Sequence, residues 1–341
     1  MDERIRAAVS GDEAYLVGGA VRDELLGRPV LDVDVACREP ERAARTYGRA
    51  AGGAVFLLSG RHGAWRVALA GGRTVDFILL QGTIASDLAG RDFTINAMAV
   101  PVRSGEPVDP FGGRADLAAH SLRAVSDTIF VDDPLRLLRA VRLEDELGLH
   151  LDRATEELVR RDAGLVKRPA GERLLAELLR LSVDGYRRLG ELGLLDGLGG
   201  STERLDRVPD RASPELRLIA ALGSSVERLP IANETRRFAR KVISAKRPED
   251  ASPRAIHRFR RATEPWALEA LALLGATALA PAVVAARAAE PAEPLLRGDE
   301  LGIPAGPEVG RLLGLIAEER AAGTIGTREE ALDLIRRSVG T

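Results

Sequence analysis

The 341-residue chain is predicted to be an α+β protein, a small mixed β-sheet region followed by an all-helical remainder. Three observations predict this. Up to about Val125, short strand-like runs alternate with glycine-rich turns. From Asp132 onward, apolar residues recur every three or four positions, as in "DPLRLLRAVRLEDELG" and "AGERLLAELLRL". The length exceeds what one core ordinarily serves, so two or more domains are expected. Boundaries near 125 and 190 divide it into residues 1–125, 126–190 and 191–341.

In chain order, "AYLV", the pair Gly18–Gly19 and "AVRDELLG" read as strand, tight turn and helix, with Gly27 as the stop. "LDVDVA" is a second strand and "ERAARTYGRAAG" the helix after it. "AVFLL", "RVALA", "TVDFILL" and "INAMAV" complete the β-type runs. Gly148 and Gly164 stand where later helices should end, and "AAEPAEP" is the clearest breaker.

Composition narrows the class. Apolar residues make up 45%, as in a folded, soluble protein, and the net charge of −2 argues against a general nucleic-acid coat. The charge is uneven. Between Arg236 and Arg261 stand ten Lys/Arg, among them Arg237, Arg240, Lys241, Arg258 and Arg260, against only Glu249 and Asp250. That run is either a phosphate-binding surface or a solvated helix face. Cys37 is the sole cysteine, so a disulfide framework and a cysteine zinc site are excluded, and a reducing cytoplasm fits. "MDERIRAAVSGDEAY" is too polar for a signal peptide. The most apolar run, Trp266 to Ala289, is broken by Glu269, Pro281 and Arg287, so it reads as packed helices and no membrane span is expected.

The chemistry concentrates in the first region. A glycine turn at a helix N-terminus, as at Gly18–Gly19, exposes backbone N–H groups that suit a phosphate. Asp32 and Asp34 flank Val33, so in a strand both carboxylates face one way while Leu31, Val33 and Val35 face the core. Asp76 adds a third carboxylate within an apolar strand, where an unpaired charge is costly. Three carboxylates beside a phosphate-binding turn suit a hard cation, most simply Mg²⁺ arriving with a nucleotide. Two such ions serve an attacking hydroxyl and a leaving pyrophosphate.

Five stretches then appear in order: "LVGGAVRDELLG", "DVDVA", "DLAGRDFTINAMAV", "DPFGGRADL" and "DDPLRLLRAVR". Together they resemble the class II tRNA nucleotidyltransferases and the related bacterial poly(A) polymerases, of the polymerase β-like superfamily. The resemblance runs from about Glu13 to Arg180, and "LRGDELGIPAGPEVGRLL" resembles the tail of tRNA-specific members. It implies a nucleotidyltransferase head (1–125), a base-recognising neck (126–190) and a tRNA-binding body and tail (191–341). It implies CTP and ATP as substrates, tRNA as partner and a monomeric or homodimeric state. Gly19 and Arg22 would meet the triphosphate, and Asp32 and Asp34 would bind magnesium, with Asp76 the third carboxylate. Arg91 would bind phosphate and Asp92 and Asn96 would shape the ribose pocket. Asp133 and Arg136 would read the base, and Arg139 and Arg142 would extend that basic face. The basic run Arg236–Arg261 would touch tRNA. Simpler roles stand beside these: Arg22 pairs with Asp23 or Glu24, Asp92 caps "FTINAM", and Arg142 is a surface arginine beside Glu146. The sequence departs from the family at Gly90, where many relatives have arginine, and at Asp132 in the "EDxxR" pattern. No histidine precedes an aspartate directly, so the phosphohydrolase domain of some relatives is not expected.

An Asp–Arg pair one helical turn apart explains a choice of C and A. Asp accepts and Arg donates, matching the amino group beside a ring-nitrogen acceptor that cytosine and adenine share. Uracil and guanine present the reverse order. Buried mismatches cost about 1–3 kcal/mol each. The connection between Asp76 and Arg91 is short: after "FILL", and with Ser86 as the next helix cap, only "QGTIA" remains. Family members that complete CCA usually carry a longer loop there, and CC-adding members resemble the short form. The terminus added is therefore either CCA or CC. A poly(A) polymerase and an inactive RNA-binding protein are the remaining readings; both paired aspartates are present, which counts against the last.

Overall fold

Alternation of inward and outward side chains decides how the first region folds. The computed structural model describes residues 2–60, 63–103 and 105–339. It divides into two units, Met1–Leu198 and Gly199–Thr341, so the expected head and neck lie together in the first.

The first unit begins with α1 (Glu3–Ala8), β1 (Ala14–Val17), α2 (Gly19–Leu25), β2 (Asp32–Cys37) and α3 (Pro40–Ala51). β3 (Ala54–Ser59), β4 (Ala64–Ala68), β5 (Thr74–Leu79), α4 (Ile84–Ala89) and β6 (Ala99–Pro101) follow. The six strands form one sheet in the order β3-β4-β5-β2-β1-β6, with β2 and β5 parallel and the other neighbours antiparallel. It is a mixed sheet, as expected. Val35, Val67, Val75 and Phe77 turn to one face and pack with Ala43, Ala44 and Tyr47 of α3. Gly48 lets α3 sit close, since a Cβ there would lie 2.3 Å from Val55 Cγ2. Leu31 does not join this core: it precedes the strand and is 58% exposed. "INAMAV" is also not one strand, because Thr94–Asn96 forms a 3₁₀ turn before β6.

The rest of the first unit comprises α5 (Gly113–Ala118), β7 (Ser121–Leu122), α6 (Ile129–Asp132), α7 (Arg136–Leu147), β8 (His150–Leu151), α8 (Arg153–Asp162), α9 (Gly171–Leu178), α10 (Val183–Glu191) and α11 (Leu194–Gly197). It is not wholly helical, since β7 and β8 form a short parallel ladder. α7 ends at Gly148, whose φ of +65° is the left-handed stop expected there.

The second unit holds α12 (Pro214–Leu222), α13 (Asn233–Ile243), α14 (Pro253–Thr263), α15 (Ala267–Leu273), α16 (Ala280–Ala288), α17 (Pro307–Ala321) and α18 (Arg328–Val339). Leu296, Leu301, Leu312, Ile316, Ala331 and Ile335 form its terminal core. No helix among the described residues is long and apolar enough to cross a membrane.

α5 docks against the 3₁₀ turn through Gly113, where a Cβ would lie 2.2 Å from the Thr94 carbonyl oxygen. Gly113→Ala is therefore expected to lower stability by about 1–3 kcal/mol through overpacking. Urea unfolding should show an earlier midpoint with an unchanged slope.

Candidate active site

The sheet face opposite the α3 core carries the charges. Parallel register sets Asp32 beside Thr74 and Asp34 beside Asp76. Thr74 Oγ1 donates to Asp32 Oδ1 at 2.8 Å. Asp34 receives no hydrogen bond from any described residue. Burial above all pushes its carboxyl above the usual range; Asp76 and Asp32 push the same way, while the Arg91 charge pulls back. Asp76 is not an unpaired charge. Arg66, its neighbour on β4, donates Nε to Oδ1 and Nη2 to Oδ2, both at 2.7 Å. Sequence reasoning missed Arg66, although it follows the same two-residue alternation in "AWRVA".

The glycine turn reaches this face. Gly18 takes φ +71°, which L side chains avoid, and a Cβ there would lie 3.3 Å from Arg91 Nη1 and 3.5 Å from Asp34 Oδ2. Gly19 opens α2. Arg91 also pairs with Asp87 at 3.0 Å. Arg22 pairs with Asp23 at 2.9 Å and donates Nη1 to Asn96 Oδ1 at 2.7 Å. Asn96 Nδ2 donates to Asp92 Oδ1 at 3.0 Å, which also accepts from the Phe93 N–H. Asp92 Oδ2 accepts from Arg139 Nε at 2.8 Å. Burial alone would raise the Asp92 pKa, but the Arg139 charge and these hydrogen bonds hold it below the usual carboxylate range.

The neck departs from expectation. Asp133 and Arg136 do not share a helix. Asp133 is extended at φ −141°, Pro134 follows, and α7 begins only at Arg136. Each is held by other groups: Arg173 Nη2 donates to Asp133 Oδ2 at 2.7 Å, and Arg136 Nη2 donates to the Gly90 carbonyl at 2.6 Å. Arg142 is not a surface arginine. It is 5% exposed and bonded to Glu177 at 2.5 Å and Glu146 at 2.8 Å, so it adds no open basic face. Burial pulls its pKa down despite these partners. Arg173 and Glu177, missed in the sequence, come from the amphipathic α9.

The basic run in the second unit is partly neutralised. Arg260 is buried, bonded to Glu264, Glu290 and the Ala286 carbonyl, so it is not part of a binding surface. Arg240 pairs with Glu227, Arg258 with Glu318, and Lys241 with the Glu264 carbonyl. Arg237 stacks over Trp266 at 5.9 Å, and Arg236, Arg237 and Arg261 form no salt bridge among the described residues.

Among the described residues no three His, Cys, Asp or Glu side chains converge to cage a metal. Asp32 and Asp34 still suit a hard cation. They are oxygen donors, Asp34 lacks any hydrogen-bond donor, and magnesium commonly takes one or two carboxylates plus substrate phosphates. A turn that brings backbone N–H groups and arginines to paired carboxylates on a mixed sheet is the head of a nucleotidyltransferase.

The comparisons narrow this. The family model described as the poly(A) polymerase head domain matches residues 14–77 and 70–123. A CC-adding tRNA nucleotidyltransferase of Thermus thermophilus is 32% identical over an alignment covering 94% of this chain and 92% of its own. One from Geobacter sulfurreducens is 45% identical over 174 residues, half of this chain and 40% of that protein. The solved Thermotoga maritima CCA-adding enzyme complexed with tRNA is similar in fold at TM-score 0.72, with 25% identity, covering 98% of this chain and 93% of that one. The chain belongs to the class II CCA-adding tRNA nucleotidyltransferase family, and it is an enzyme of this kind.

Asp92→Asn removes the charge that Arg139 faces and is expected to cost about 2 kcal/mol at neutral pH. A depressed carboxyl pKa contributes stability that is complete above its ordinary value of 3.8 and lost as the pH falls through the lowered one. Denaturant unfolding across a pH series should therefore show the gap between wild type and variant closing in acid.

Proposed function

We propose that the protein adds nucleotides of the CCA terminus to the 3′ end of tRNA, with CTP and ATP as donors and pyrophosphate released. The observation that carries this is the donor-free, half-buried carboxylate of Asp34 beside Asp32 and the Gly18 turn. Magnesium, held as two ions by Asp32, Asp34 and phosphate oxygens, would supply charge neutralisation for the leaving pyrophosphate and activation of the attacking hydroxyl. The chain's own groups do the positioning. The Gly19 N–H at the turn, with Arg22 and Arg91, orients the triphosphate, the Gly18 N–H being donated to the Met98 carbonyl. Asp92 and Asn96 border the ribose. Asp76 lies beside Asp34 as the third carboxylate.

Asp133 and Arg136 carry base choice, although from a turn and a helix start rather than from one helix. Asp133 accepts from the amino group of C or A, and Arg136 donates to the ring nitrogen. Arg173 orients the Asp133 carboxylate for this. Arg139 acts through Asp92, and Arg142 supports α7 from within. The tRNA backbone is contacted from the second unit by Arg236, Arg237 and Arg261, three members of the basic run that form no salt bridge among the described residues. A protein of this kind works on tRNA in the cytoplasm.

One observation favours the CC-adding form. β5 ends at Leu79 and α4 starts at Ile84, capped by Thr83 rather than by Ser86. Ser86 instead completes a capping box and donates to the Thr83 and Gln81 carbonyls, which ties the connection down. A turn so closed has little reach to remodel a pocket between C and the larger A.

Two experiments test these readings. Asp34→Asn should abolish CTP incorporation into tRNA while its unfolding midpoint stays level or rises, because the variant no longer buries a charge whose ionised form is disfavoured there. Near-wild-type turnover would eliminate Asp34 from the chemistry. For the terminus, tRNA lacking CCA is incubated with CTP and ATP and the ends are sequenced. Tails stopping mainly at CC are expected; complete CCA at a comparable rate would show that the closed turn does not govern A addition.

A further inference from the structure

Among the described residues, Arg66 and Asp76 form the one bidentate ion pair on the charged sheet face. Register places Asp34, Asp76 and Arg66 in a row across β2, β5 and β4. Both Asp76 oxygens are bonded to Arg66 at 2.7 Å, and Asp76 is 8% exposed. The guanidinium is planar and permanently charged, so this cover does not lift with pH. Asp34, by contrast, has no donor, and Asp32 only the Thr74 hydroxyl. The three carboxylates are thus not equivalent, and no three acidic groups converge among the described residues.

We infer that Arg66 is a positioning residue that keeps Asp76 out of the cation's ligand set, leaving Asp32 and Asp34 as the carboxylate ligands. This rests on the reading that those two hold magnesium. Arg66 acts in two ways. It takes one lone-pair direction on each Asp76 oxygen, and it leaves the group of three carboxylates with two net negative charges. The second lone pair of each oxygen remains able to accept a hydrogen bond. Asp76 is thereby fixed as an acceptor for a hydroxyl rather than as a ligand. Without Arg66 the group would carry one more negative charge and a carboxylate free to swing. The cation would be held more tightly and the hydroxyl less well placed.

The test uses manganese(II) alone as the probe, titrated into the full-length protein and read by the EPR signal of free ion. CTP turnover on tRNA is measured in parallel. Arg66→Met should bind Mn²⁺ on the order of tenfold or more tightly, as one added charge beside a divalent ion requires. Its turnover should fall by up to about 100-fold with KM for CTP held. Arg66→Lys, which keeps the charge but covers one oxygen only, should lie between wild type and Arg66→Met, and it carries the test if the methionine variant does not fold. Affinity equal to or weaker than wild type in the folded variant overturns the inference. Asp34→Asn separates this from failure of the magnesium reading: if wild type binds no Mn²⁺, or Asp34→Asn binds it as well as wild type, both readings fall.

Discussion

Between the segment after α4 and helix α7 runs an ion pair of a buried carboxylate and a half-buried guanidinium, Asp92 with Arg139 at 2.7 Å. Asp92 is 5% exposed, and a lone charge there would be costly. Its neighbours turn the pair into a chain. Asn96 links Asp92 to Arg22 of α2, and Arg139 approaches Glu177 of α9 at 3.7 Å. Glu177 in turn holds Arg142, and Glu146 joins Arg142 to Arg180. The arginine beside the glycine turn and the helix that follows Asp133 are therefore fixed by one continuous set of hydrogen bonds and ion pairs. Loss of a member strands another charge, which makes such a network more than the sum of its pairs.

The same economy of charge holds the arginines around the candidate site. Arg22, Arg66, Arg91, Arg139, Arg142 and Arg173 all have carboxylate partners. In the second unit Glu264 serves both Arg260 and Arg287. A count of basic residues along the chain therefore overstates the positive surface, since the carboxylates that neutralise it lie far away in sequence. Arg260 and Glu290 are 30 positions apart, and Arg254 and Glu319 are 65 apart.

What was legible in the sequence follows from the range of the interaction. Asp32 and Asp34 share a face because strand alternation is local: in β2, Val35 and Cys37 join one core and Ala36 the other. The stop at Gly148 is equally local. Arg66 was hidden because its meaning depends on which residue of β5 lies opposite, and register between strands is not written in either strand alone. Asp133 and Arg136 were misplaced because helical spacing was carried back across Pro134, where the backbone had not yet entered α7. Ser86 was read as a cap when Thr83, three positions earlier, takes that place and Ser86 answers it. Gly18–Gly19, Asp32, Asp34 and Asp76 stand out by type and spacing, and the other candidates come with the family resemblance; the partners of all of them are set by tertiary contacts.

The parallel pairing of β2 and β5 has a consequence in time. Thr74 and Asp32 meet across 42 residues, and α3, β3 and β4 lie between them in the chain. Parallel strands need such a crossover, and long loops must close before their contacts stabilise anything. The row of carboxylates therefore exists only once that whole crossover has condensed, so nothing resembling a reaction centre forms on a half-built chain. A nascent polypeptide stalled before Thr74 would carry Asp32 and Asp34 without the strand that aligns them, and maturation of the fold and onset of competence become one event.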